Sequence, residues 1–229
     1  MKKVIALLLV AGAAIAAHAA DDQEKLDGRL DAARSVVDSI MSVPDKAVPD
    51  EIARHAKCIA VVPGVVKGAF IVGAEYGQGV VTCRTGHGWS APVFIRLAGG
   101  SFGFQAGGQG TDLVLVAVND KGFQDLLHDK FKIGADAAAA AGPVGRDAQA
   151  STDLSMRAEL LTWSRSRGIF AGIDLNGVSV SQNREDTDAF YGGSHSFEGI
   201  LNGAVPPPRQ AEGFLHAVRE YFGDAEMRR

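Results

Sequence analysis

Residues that assemble into catalytic or metal centres are scarce in this chain. It has two cysteines, six histidines and 7% aromatic residues among 229. Two cysteines cannot make a zinc site without histidine help, and no histidine stands at ligand spacing to either one. His87 and His195 lie near glycine turns, and His55, His128 and His216 fall in helical stretches. Each is expected to be a solvated surface residue, and no metal is expected. Gly107-Gly108-Gln109-Gly110-Thr111 lacks the Gly-Lys-Ser/Thr ending of a phosphate loop, and no Gly-x-Gly-x-x-Gly joins a strand to a helix. No cofactor is expected. An excess of basic residues is also missing: 23 Lys and Arg stand against 27 Asp and Glu. Nucleic acid, which needs a strongly basic surface, is therefore an unsuitable partner.

Gly99-Gly100-Ser101-Phe102-Gly103 matches the Gly-x-Ser-x-Gly nucleophile elbow. An elbow needs a helix directly after the serine, and Phe104-Gln105-Ala106-Gly107-Gly108 does not start one. A glycine-rich bend in a sheet is the better reading, and a serine hydrolase using Ser101 is a remote one. Asp112, Asp136, Asp147 and Asp153 are scattered, and nothing pairs two of them as acid and base. The chain is not expected to be an enzyme.

Its N-terminus has a clear character. Lys2 and Lys3 precede an apolar run from Val4 to Ala17, and Ala17-His18-Ala19 carries small residues where a signal peptidase reads. The run has 14 residues, short of the ~20 that span a bilayer. Residues 1–19 are expected to be a cleaved signal peptide. Residues 20–229 then form one domain of 210 residues, with 21 basic and 27 acidic side chains and a net charge of −6. The first cysteine is Cys58, so no lipid-modified cysteine follows the leader. The expected location is periplasmic or secreted. In such a compartment Cys58 and Cys83 are expected to pair, with two buried thiols as the alternative. Closing that loop would stabilise by ~3 kcal/mol.

Periodicity separates the elements. Residues 21–43 place Leu26, Leu30, Ala33, Val37 and Ile40 at helical steps, and Pro44 stops them. A short helix follows over 49–56. The period then changes to two, giving strands at Cys58–Val62, Ala69–Glu75, Gly79–Arg84, Val93–Leu97, Gly103–Ala106 and Asp112–Val118. Tyr76-Gly77-Gln78-Gly79 reads as a hairpin connection. Phe123–Lys130 reads as helical, Ala135–Ala141 as a strand, and Leu160–Ser164 and Ile169–Leu175 as further strands. Short helices at Asp186–Tyr191 and Phe197–Leu201, and a last one at Gln210–Phe222, close the chain. The fold expected is α+β: a mainly antiparallel, strongly bent, barrel- or sandwich-like sheet flanked by N- and C-terminal amphipathic helices.

The arginines carry the binding chemistry. Arg165 and Arg167 alternate with Ser164 and Ser166, so in a strand both project from one side. Two guanidinium forks on one side suit a phosphate or a carboxylate. Arg146, Lys67, Arg84 and Arg96 are candidates for the same anion site. The competing reading is that these cations pair with nearby acids such as Asp147, Asp153 and Glu159.

Several phrases together resemble the SYLF domain, also called the Ysc84 or DUF500 family. They are Ala56-Lys57-Cys58-Ile59-Ala60-Val61-Val62-Pro63-Gly64, Gly68-Ala69-Phe70-Ile71-Val72-Gly73, Gly88-Trp89-Ser90-Ala91-Pro92, Gly99-Gly100-Ser101-Phe102-Gly103-Phe104-Gln105, Asp112-Leu113-Val114-Leu115, Gly142-Pro143-Val144-Gly145-Arg146, Ser164-Arg165-Ser166-Arg167-Gly168-Ile169-Phe170-Ala171-Gly172 and Phe190-Tyr191-Gly192. The resemblance implies binding of phosphoinositides and other anionic phospholipids. In some eukaryotic members it implies actin bundling, with an amphipathic N-terminal helix and SH3 or FYVE partner domains. This sequence shows neither partner domain, and its leader would carry it away from actin. The expected function is therefore an exported, non-catalytic lipid-binding protein whose partner is phospholipid or a membrane surface. An envelope protein partner, for a structural or stress-linked role, is the alternative.

Overall fold

Two layers of helix and strand share a sheet built from alternating sequence. The computed structural model describes residues 2–42, 48–69, 72–102, 110–143, 158–166, 169–173 and 175–223. Helix α1 runs from Lys2 to Met41 and α2 from Asp50 to His55. Strands β1 (Cys58–Ala69), β2 (Val72–Thr85), β3 (Gly88–Trp89), β4 (Val93–Phe102) and β5 (Thr111–Ala117) follow. Next come α3 (Asp120–Leu127), β6 (Lys130–Lys132), β7 (Ala139–Ala141), β8 (Leu160–Ser166), β9 (Ile169–Gly172) and β10 (Ser179–Gln182). Helices α4 (Arg184–Tyr191), α5 (Phe197–Leu201) and α6 (Glu212–Phe222) complete the chain.

The strands pair in the order β6-β10-β4-β2-β1-β5-β8-β7, with β3 beside β2 and β9 beside β8. Among the described strands every pairing is antiparallel except β7 with β8. The outermost strands of that path, β6 and β7, are joined by only six residues, with a bridge from Ile133 to Ala137. The sheet is consequently a strongly curled half-barrel, with its two margins drawn together.

Alternation along each strand fills two cores. On the convex side Ile59, Val61, Val80, Phe94, Val116 and Trp163 meet α1, α2 and α6. On the concave side Val62, Val81, Leu97, Leu115 and Val180 meet Phe131, Ile133, Phe197 and Ile200. Leu26, Leu30, Ala33, Val37 and Ile40 of α1 are all buried, and Phe214, Leu215, Val218 and Phe222 of α6 pack into the same layer. At roughly 1.5–3 kcal/mol for each large apolar side chain, this face of α1 is strongly committed to the core.

Several sequence expectations need correction. The 76–79 stretch is not a turn: it lies inside β2, paired with β4 on one side. Between Val61 and Val66, β1 spends one more residue than β2 does opposite, which is a bulge at Pro63-Gly64. Gly64 takes φ +58, open to glycine at no steric cost. The bulge presses on β2, where a Cβ at Gly79 would lie 2.3 Å from the Val61 carbonyl oxygen. Glycine there permits close approach, not reversal. Helix α1 begins well before residue 21, because residues 4–17 are rich in alanine and leucine, which favour helix, and contain no proline. Among the described residues, no helix is long and apolar enough to cross a membrane. The alanine run is strand only at Ala139–Ala141, β9 ends at Gly172, and α3 starts at Asp120. The Gly103–Ala106 strand lies outside the described residues. The sequence pattern does not announce β3, β6 or β10.

The Sγ atoms of Cys58 and Cys83 are bonded, across directly paired positions of β1 and β2. Both residues are fully buried.

Candidate functional site

The structure separates the arginines that the sequence grouped. Arg84, on β2, gives its Nε–H to the Ala56 carbonyl at 3.0 Å and an Nη2–H to that of Phe222. Its guanidinium also lies 5.0 Å from the Trp89 ring. Those carbonyls end α2 and α6, where backbone acceptors have no helical partner. Arg84 is therefore a structural clasp between two helix ends, which corrects its assignment to an anion site. Arg165 places Nε 2.8 Å and Nη2 2.6 Å from Asp112 Oδ2. Asp112 Oδ1 in turn accepts the Gly64 N–H at 2.9 Å. Arg165 thus ties β8 through β5 to the bulge in β1, and the ion-pair reading fits it better than a headgroup role.

Arg96 differs. Its pairing with Glu185 is 3.3 Å, and Glu185 is itself 85% exposed. Along β4 and β2, Arg96 and Arg84 are about 20 Å apart, since Gln78, opposite Arg96, is six residues from Arg84. Arg96 and Arg165 are four strand spacings apart, again roughly 20 Å along the sheet. Lys67 sits opposite Glu75 in the β1–β2 register. The side chain of Lys67, and all of Arg146 and Arg167, lie outside the described residues.

Two lysines that sequence reasoning missed join Arg96. Ser181 pairs with Arg96 on one side and Lys130 on the other, and Ser179 pairs with Ala98 and Lys132. Directly opposed residues share a sheet face. Arg96, Lys130 and Lys132 therefore project together, spread over about 10 Å of sheet. Both lysines are exposed while Phe131 between them is buried. The signal was present as Lys130-Phe131-Lys132, the same alternation that singled out Arg165 and Arg167. Nearby acids are Asp129, paired with Arg184, and Asp136, whose carboxylate accepts the Lys132 N–H at 2.7 Å.

The same face carries the two exposed large apolar residues of the described chain, Val66 at 56% and Tyr76 at 49%. They are direct cross-strand partners, and Tyr76 is also opposite Ala98.

Other groups serve the fold. Arg29 of α1 is largely buried, paired with Asp186, bonded to Gln78 Oε1 at 2.8 Å and 5.4 Å from the Phe94 ring. Tyr191 donates to the Pro92 carbonyl at 2.6 Å, and burial pushes its phenol well above its usual range. Burial also raises the Asp125 carboxyl, with the Glu159 charge adding to it. Glu159 is held below its ordinary value despite its own burial, by Lys121 and the Ala138 N–H. Ser101 sits within β4 opposite Gly73, not on a strand-to-helix turn. Among the described residues no three His, Cys, Asp or Glu side chains are arranged to hold a metal ion.

Residues 98–221 match the family described as Ysc84, Las17-binding protein actin regulator. The SH3 domain-containing YSC84-like protein 1 of Rattus norvegicus is 34% identical over 180 residues, covering 78% of this chain and 53% of that protein. LAS seventeen-binding protein 3 of Saccharomyces cerevisiae is 31% identical over 170 residues, covering 72% of this chain and 36% of that protein. Protein YSC84 of Saccharomyces cerevisiae is 30% identical over 178 residues, 76% and 38% respectively. The chain spans about half the length of the first of these relatives and less of the others. Its strand-and-glycine phrases and the match across 98–221 make it a member of the Ysc84 (SYLF) family.

Proposed function

We propose that this chain is an exported, non-catalytic protein that binds anionic phospholipid at a membrane surface. The observation that carries the reading is the cationic face of Arg96, Lys130 and Lys132. An exposed ion pair such as Arg96–Glu185 is worth ~0–1 kcal/mol, so a lipid phosphate can replace Glu185 at little cost. Export is supported by the leader pattern and by the buried Cys58–Cys83 bridge, which suits an oxidising compartment. Family membership and its implied lipid chemistry agree with this role.

Flotation of residues 20–229 with vesicles tests it. Binding to phosphatidylglycerol/phosphatidylethanolamine vesicles is expected, weakening with salt and weaker still on phosphatidylcholine. At ~1 kcal/mol for each surface cation, Arg96→Gln, Lys130→Gln and Lys132→Gln together should reduce binding roughly 100-fold. No flotation of the unaltered protein would refute the reading.

A second reading, an envelope protein-binding module, draws on the relatives' names: one is a LAS seventeen-binding protein. A single stoichiometric protein partner in pull-down, with no lipid co-purifying, would favour it. Actin fits poorly with export.

A further inference from the structure

Cations alone leave open which part of the molecule enters the bilayer boundary. An amphipathic N-terminal helix, which the family resemblance implies for some members, is one element that could do so. Here the apolar stripe of α1 over residues 26–40 is used up: Leu26, Leu30, Ala33, Val37 and Ile40 are each 3% exposed or less. A helix cannot bury one stripe in a core and in lipid at once.

The sheet offers a different element. Val66, Tyr76, Ala98 and Ser179 form one row across β1, β2, β4 and β10, each directly opposite the next. The row contains no charge. Lys132 closes it at β6, and Arg96 and Lys130 lie one same-face step, about 7 Å, along their strands. An uncharged ridge with tyrosine and a cationic margin is the composition that a membrane–water boundary favours, because tyrosine offers an apolar body and a polar tip.

Area argues against a protein occupant. Half of one valine and half of one tyrosine expose on the order of 200 Å², against the ~500 Å² that each partner contributes to a stable protein interface. A bilayer boundary sets no such threshold, since a few anchors plus surface charge give reversible adsorption.

We propose that the Val66–Tyr76 ridge is a membrane wedge, entering the headgroup–acyl boundary of an anionic bilayer while Arg96, Lys130 and Lys132 hold the phosphates. This rests on the lipid-binding reading and fixes the docked orientation: the β1–β2 end of the convex face points at the bilayer, and α1 stays in the core.

The test uses residues 20–229 and phosphatidylglycerol/phosphatidylethanolamine vesicles. Tyr76→Trp adds a tryptophan on the ridge, while Trp89 and Trp163 are buried and give a constant background. Its emission should shift to the blue on adding vesicles and be quenched by lipids brominated near the headgroup. Val66→Thr with Tyr76→Thr keeps strand propensity and the cations. It should lower the partition coefficient roughly tenfold or more, through the component that salt does not remove. Suppose the unaltered protein floats, but vesicles leave the emission of the Tyr76→Trp variant unchanged and the threonine pair binds as before. That result would overturn the wedge and leave lipid binding standing. Failure of the unaltered protein to float would remove both.

Discussion

Reducing the Cys58–Cys83 bond should cost this fold about 3.5 kcal/mol. The two residues are 25 apart in sequence, and opening a loop of that size returns about 12 cal/mol/K of entropy to the unfolded chain. With a urea slope near 2 kcal/mol/M, the unfolding midpoint should fall by roughly 1–2 M. Neither cysteine is exposed. A thiol reductant should therefore leave the native protein oxidised and act only once denaturant opens it. Urea unfolding followed by circular dichroism, on oxidised protein and on protein reduced while unfolded, measures the difference. Cys58→Ala with Cys83→Ala should show at least the same loss, since two small cavities add to it. The oxidised form should also have the smaller slope, because its unfolded state is less expanded. Coincident curves for oxidised and reduced protein, or rapid reduction under native conditions, would refute the reasoning.

Other outcomes follow from the same geometry. Arg84→Met keeps the stem packed near Trp89 but abandons the Ala56 and Phe222 carbonyls, and should destabilise by ~2–3 kcal/mol in urea with vesicle binding unchanged. Asp125 is raised from its ordinary 3.8 by burial, with Glu159, Lys121 and His128 as its charged surroundings. The folded state therefore binds its proton more tightly than the unfolded state does. Stability from this group is present below the ordinary value and is lost as pH rises through the raised one. Asp125→Asn should raise the melting temperature at pH 7 and lose that advantage near pH 3. An unchanged or lower melting temperature at pH 7 would count against it.

Much of the fold was legible because its strands are long enough to show their period. The short unbroken apolar runs Cys58–Val62 and Leu113–Val118 read as core strands buried on both faces, and Cys58 with a second cysteine in the strand-like Gly79–Arg84 suggests a bridge. The 76–79 error has a physical source: Gly77 and Gly79 have the composition of a turn, yet their missing side chains admit the bulged β1. Arg84 could not be read correctly from sequence, because its acceptors come from helix ends 28 and 138 residues away. Arg165 pairs with Asp112, a partner that the neighbouring strand supplies and sequence proximity does not reveal. Lys130 and Lys132 were hidden by a strand of three residues whose partner β10 lies about fifty residues downstream. A short strand carries too few repeats to announce itself, and only long-range pairing exposes its face.

The packing of α1 against α6 bears on when this protein can finish folding. The convex layer needs Leu30 and Val37 from near the start of the chain and Phe214 and Phe222 from near its end. A chain still being synthesised has strands to pair but cannot complete this layer until α6 has emerged. Loss of α6 would strip α1 of its contacts with Phe214 and Phe222 and leave it chiefly the sheet and α4 to pack against.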